Sequence, residues 1–176
     1  MAIQAYLKFE TAPNSPAAPI VGESLDKTHR GWIELTEFSF GLENPLVIGS
    51  RAGGAGAGKT EFKKLVIRKM LDSTTPGLMQ TLCTGAHYAT ATLNIVNVTS
   101  DLKAPTKPLA QFEMKMVMIS DIEFSGSAGD SWAAENVTIQ FGALKVTCNP
   151  QAAAKGAKPQ EAVWSTVLNT QKFEVV

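Results

Sequence analysis

The residues best suited to chemistry lie in one glycine-rich stretch. Gly53, four further residues and then Gly58, Lys59 and Thr60 satisfy the spacing of a phosphate-binding loop. In such a loop backbone N–H groups cradle phosphates, the lysine neutralises their charge and the threonine hydroxyl ligates magnesium. Met116–Asp121, an apolar run ending in an aspartate, has the form of a magnesium-holding strand. The competing reading is a flexible glycine hairpin loop that ends in a lysine. A nucleotide site requires a helix directly after the loop, because the phosphates rest on its N-terminus.

Other reactive sets are thin. Cys83 and Cys148 stand far apart with no CxxC spacing, which reads as two free, buried thiols. His29 and His87 are equally isolated, a poor basis for a zinc site. No Gly-x-Ser-x-Gly elbow and no HExxH helix occurs. Asp72, ahead of Ser73–Pro76, reads as turn and cap chemistry. Trp32, Trp132 and Trp164 are isolated, with burial in a core or an interface as the default.

The elements that would position these residues are written in the periodicity. Ile3, Ala5, Leu7 and Phe9 share one parity, as in a β-strand. In residues 31–41 the apolar parity changes between Ile33 and Leu35 and the later Phe38 and Phe40, which predicts a bulge between Leu35 and Phe38. Residues 61–71 fit either a helix or a strand. Thr74 or Thr75 as cap, Pro76, the Leu78, Met79 and Leu82 stripe and Gly85 as stop predict one short helix over about residues 75–84. From Tyr88 onward the chain reads as strand and turn. Phe112, Met114, Met116 and Met118 form a stripe read as core, and Gly142 marks a parity change expected at a bulge or corner. Residues 149–160 form a loop before a final strand.

The sum is a mainly β chain: a two-sheet antiparallel barrel or sandwich with one short flanking helix and a long glycine-rich loop. At 176 residues it is most simply one domain spanning 1–176. Sixteen basic and sixteen acidic residues leave no broad footprint for nucleic acid or an anionic membrane. No apolar run is long enough for a membrane-spanning helix, and the N-terminal residues lack the pattern of a Sec signal peptide. With one good helix, placed elsewhere than after the glycine loop, nucleotide binding is disfavoured.

Taken in order, the motifs resemble the Hcp (haemolysin-coregulated protein) family, tube subunits of the type VI secretion system. The resemblance rests on Gly22–His29, Ile33–Leu35 and the Phe38-Ser39-Phe40-Gly41 run. It continues through Gly56–Lys59, Phe62 with Leu65–Ile67, Leu71–Pro76, Cys83–Tyr88 and Ala91–Leu93. It closes with Gly126–Asp130, Glu135–Phe141, Asn149–Gln151 and Trp164. The Pro13–Pro19 segment, the proline- and lysine-rich stretch 103–108 and Ala86 depart from the pattern.

The resemblance implies a barrel subunit that forms homohexameric rings, which stack into a hollow tube. The tube is assembled in the bacterial cytoplasm, wrapped by a contractile sheath, tipped by a trimeric spike and expelled without a Sec signal. Small effector proteins ride in the lumen; no catalysis, cofactor, metal, nucleic acid or membrane is implied. Ser39, opposite in parity to its flanking phenylalanines, is the expected lumen contact. The expected ring-stacking loop carries Glu43, Asn44, Arg51, Gly53, Gly54, Gly56, Gly58 and Lys59. A tail-tube protein of a phage-like contractile particle has a similar fold, and with the phosphate-loop protein it forms the set of alternatives.

Overall fold

The computed structural model describes residues 3–47, 56–57, 59–97, 108–150 and 158–176. Its strands, in chain order, are β1 (Ile3–Glu10), β2 (Ile33–Leu35), β3 (Glu37–Ser39), β4 (Leu42–Glu43), β5 (Leu46–Val47), β6 (Gly56–Ala57), β7 (Glu61–Phe62) and β8 (Leu65–Met70). The helix α1 (Thr75–Thr84) comes next. Beyond it lie β9 (His87–Asn97), β10 (Ala110–Ser125), β11 (Ala134–Cys148) and β12 (Gln160–Ser165).

One antiparallel sheet runs β2-β1-β9-β10-β11-β8-β3, and β12 adds to the free half of β11. Because β2 leads directly into β3, one kinked strand pairs with β1 by its first half and with β8 by its second. That nearly closes the sheet into a barrel, the arrangement that removes exposed edges. The kink falls at Thr36, between Leu35 and Phe38 as the parity change requires. Thr36 spends both its N–H and its hydroxyl on the Arg68 carbonyl, at 2.9 and 3.0 Å. A single carbonyl thus anchors the residue that re-aims Phe38 and Phe40 toward the core.

The interior is filled by Leu7, Ile33, Ile67, Leu93, Met114 and Val137, each almost wholly buried. β10 and β11 turn together. Met116 adopts φ 52°, and Gly142 lies beside it without any shift of register on either side. The parity change expected at Gly142 is therefore a corner shared by two strands; the register shifts instead between Ile119 and Asp121. This corner corrects the methionine stripe. Met114 is buried, but beyond the turn Val117 and Ile119 point inward, so Met116 and Met118 are left 41% and 39% exposed.

The helix spans the expected residues. Pro76 occupies its first turn and Gly85 closes it in the left-handed conformation at φ 65°. Thr74 stands at the N-cap without capping, because its hydroxyl donates to Asp72 Oδ1 at 2.5 Å. Leu78 is fully buried, worth on the order of 2 kcal/mol. Thr81 ties the helix to the rest: its hydroxyl accepts the Ala18 N–H and lies 3.0 Å from the Tyr88 hydroxyl. The thiols of Cys83 and Cys148 are free but exposed, not buried. Cys83 lies on the solvent side of α1, one residue past Leu82, and Cys148 is the last residue of β11.

Candidate functional site

The described residues on either side of the glycine-rich stretch pair as a ribbon outside the main sheet. β4 pairs with β7 through Leu42↔Phe62 and Glu43↔Glu61, and β5 pairs with β6 through Leu46↔Ala57 and Val47↔Gly56. Its base is pinned by the Lys63 N–H on the Gly41 carbonyl at 2.9 Å. Glu43 ion-pairs with Lys63 at 3.2 Å, and Asn44 Nδ2 donates to Thr60 Oγ1 at 3.3 Å. Lys59 is exposed beside Thr60. Of the other residues singled out, Gly56 lies in β6, while Arg51, Gly53, Gly54 and Gly58 fall outside the described residues. Lys59 and Thr60 lead into strand, β7 and then β8, and not into a helix. The phosphate-loop spacing therefore lacks the helix N-terminus that its chemistry requires.

Ser39 faces outward at the end of β3, opposite Val66. The registers carry that position across the barrel wall as a row: Ser39, Val66, Thr138 and Asp121 on four successive strands. The next row is Glu37, Arg68, Asn136 and Glu123. The result is a polar, mixed-charge surface two rows deep, with a shallow cleft of about 260 Å³ between Ser39, Arg68 and Asn136.

Two polar clusters escaped the sequence reading. Inside the barrel Lys69 and Glu135 are register partners and both are buried. Lys69 Nζ also donates to Asp72 Oδ1 at 2.7 Å and to the Met70 carbonyl at 3.1 Å. Burial pushes the Asp72 carboxyl up, yet its hydrogen bonds from Lys69 and Thr74 outweigh that and hold it below the ordinary aspartate range. Parity offered a signal, since Lys69 shares a face with Leu65 and Ile67, and Glu135 with Val137 and Ile139.

The second cluster lies on the outer face of β1. The His29 ring stacks on Tyr6 at 4.4 Å, with Trp32 edge-on at 5.1 Å. His29 Nδ1 meets Asp26 Oδ1 at 2.9 Å, and Nε2 meets Asn94 Nδ2 at 3.1 Å. An amide NH₂ can only donate, so this network is satisfied by the Nδ1–H tautomer. Gln111 Nε2 completes the chain by donating to Asn94 Oδ1 at 3.0 Å. Asp26, His29, Asn94 and Gln111 find partners within the cluster, which suits a clamp for the 22–32 loop better than a reactive centre. Among the described residues no group of three or more His, Cys, Asp or Glu is placed to hold a metal. No described helix is long and apolar enough to cross a membrane.

Residues 6–148 match the family described as type VI secretion system effector, Hcp. The chain belongs to the Hcp family. It is 31% identical over 173 residues to the protein Hcp1 of Pseudomonas aeruginosa, covering 97% of this chain and 99% of that one. Among solved structures, a type six secretion system protein superposes with a TM-score of 0.84 at 23% identity, covering 97% of this chain and all of the other. Hcp1 of Salmonella typhimurium gives 0.73 at 20% identity, covering 98% of this chain and all of its own. Those two likenesses speak to the barrel fold, and the Pseudomonas relative to the family.

Proposed function

We propose that this Hcp chain is the inner-tube subunit of a type VI secretion system. Six copies close into a ring, rings stack into a hollow tube, and the tube leaves the cell as a whole. A contractile sheath surrounds it, a trimeric spike caps it and small effector proteins travel in the lumen. The observation that carries this reading is the family match over residues 6–148. Three features of the fold support it. The barrel interior is filled by side chains, the β4–β7 and β5–β6 pairs lie outside the barrel sheet, and a polar wall faces outward around Ser39. In this arrangement the wall lines the lumen, the ribbon reaches the adjacent ring, and the chain needs no catalytic centre or cofactor. Negative-stain microscopy of the purified protein tests it: hollow six-fold rings are expected, and a uniformly monomeric field at high concentration overturns it.

A further inference from the structure

Two grooves along β11, each built around a tryptophan, carry opposite charge. The first surrounds Trp132, which is 70% exposed, with Leu25, Met70 and Leu71 at 85%, 44% and 45%. It encloses about 480 Å³, and its rim acids outside the Lys69 ion pair of Asp72 are Glu34 and Glu23, the latter accepting the Ser73 N–H at 3.0 Å. Among the described residues no basic side chain lines it. The second groove consists of two adjoining hollows of about 500 and 450 Å³ that share Thr60, Phe62 and Trp164. Its floor includes Leu42 and Val163, and Lys59, Lys63 and Lys64 stand on its rim against one described acid, Glu61.

Their placement is set by register. Ala134, two residues after Trp132, pairs with Met70, whereas Leu144 pairs with Trp164. Some ten residues of strand, bent at Gly142, separate those positions, so the span is shorter than the roughly 33 Å of a straight strand. Neither groove suits a copy of itself, because a two-fold contact would set Glu23 and Glu34, or the three lysines, against their own kind. Each matches the other. A contact between two different patches of identical chains is head-to-tail, and such contacts propagate until they close.

We propose that the exposed Trp132 of one copy seats in the lysine-rimmed Trp164 groove of the next, with Glu23 and Glu34 facing Lys59 and Lys64. This deepens the ring proposed above, rests on it, and names the two faces that meet around it. Burying the two tryptophans supplies the apolar anchor, and the charges fix direction.

The test uses two variants of the full chain. Glu23→Lys with Glu34→Lys makes both grooves basic, and Lys59→Glu with Lys64→Glu makes both acidic; Lys63 is spared because Glu43 engages it. Each is expected to run as a monomer in light-scattering chromatography, with an unchanged circular dichroism spectrum. An equimolar mixture is expected to recover the assembly, with native mass spectrometry showing equal numbers of each in alternation. Trp132→Ala, which alters no charge, is expected to weaken assembly at least ten-fold. Variants that assemble like the unmodified chain, or a mixture that stays monomeric, overturn the proposal while leaving the ring intact. Monomeric unmodified protein overturns the ring itself, and the proposal with it.

Discussion

Lys69 and Glu135 face each other across β8 and β11 inside the barrel, Nζ to Oε1 at 2.5 Å, with side chains 1% and 0% exposed. The lysine's hydrogen bonds run instead to Met70, Asp72 and Thr75, and neither Glu135 oxygen has an aligned hydrogen bond among the described residues. The two charges stand within ion-pair distance in a buried setting. Removing one partner strands the other charge, so Lys69→Met is expected to cost about 3–5 kcal/mol in urea denaturation. Lys69→Met combined with Glu135→Leu is expected to recover most of that loss, because apolar pairs of similar volume often match buried ion pairs. A double variant as unstable as the single one would show that the pair does more than satisfy itself.

Asp72 makes the fold sensitive to acid. Its carboxyl is held below the ordinary range in the folded chain, despite burial acting the other way, by Lys69 and Thr74. A depressed folded pKa contributes stability that is present above the unfolded value near 4 and lost as pH falls through the folded one. The urea midpoint is therefore expected to drop below pH 4. Asp72→Asn is expected to be less stable at pH 7 and to show a shallower decline between pH 4 and 2. A decline equally steep in both proteins would place the acid sensitivity elsewhere.

The parts of this fold that were legible in the sequence are those written in local periodicity. The Leu35 to Phe38 parity change located the Thr36 kink, and Pro76 with Gly85 bounded the helix. Parity misled where strands turn: Met116 and Met118 continue the Met114 alternation on paper, but the φ of 52° at Met116 reverses the face. Burial of Lys69 and Glu135 was hidden because a lone charge in a strand is usually solvated, and pairing across β8 and β11 is not local. The exposure of Trp132 and its place beside Leu25 and Met70 depend on the same long-range register. The helix required by the phosphate-loop reading was open in the sequence because residues 61–71 fit both periods; pairing of β8 with β3 and β11 decides for strand.

The 22–32 loop is expected to hinge on Gly22. An added Cβ there would lie 2.2 Å from the Trp32 backbone carbonyl, and backbone has no room to yield. Gly22→Ala is expected to cost about 3 kcal/mol, at the top of the overpacking range, by lifting the loop that seats His29 on Tyr6. Limited trypsin digestion should then cut faster at Lys27 and Arg30. Gly126→Ala, whose Cβ would meet Ala133 at an ordinary 3.5 Å, serves as the control and is expected to stay within about 0.5 kcal/mol of the unmodified protein. Equal cleavage in both would sink the hinge.

The β5–β6 end of the ribbon is expected to join rings, while Leu42, Lys59 and Phe62 at its base serve the contact between subunits within a ring. Deleting Gly53–Gly58 removes β6 while leaving the β4–β7 pair and the Lys63 to Gly41 bond. Sedimentation should show intact hexamers, microscopy should show no tubes, and export should be lost. Tubes of normal length from the shortened chain would move the stacking contact elsewhere, and loss of the monomer fold would make the segment structural.

Ser39 provides the test of the lumen. Its side chain points away from the core flanked by Phe38 and Phe40, so Ser39→Gln adds bulk to the polar wall without entering the barrel. Stability is expected to change by no more than about 0.5 kcal/mol, and ring formation to be unaffected. What should change is retention of small effectors, because the larger amide narrows the cleft beside Arg68 and Asn136 and alters the hydrogen bonds offered there. Co-purification of an effector with the rings, measured against the same rings carrying serine, reads the effect directly. Undiminished retention in well-formed Ser39→Gln rings would mean that this wall faces something other than cargo.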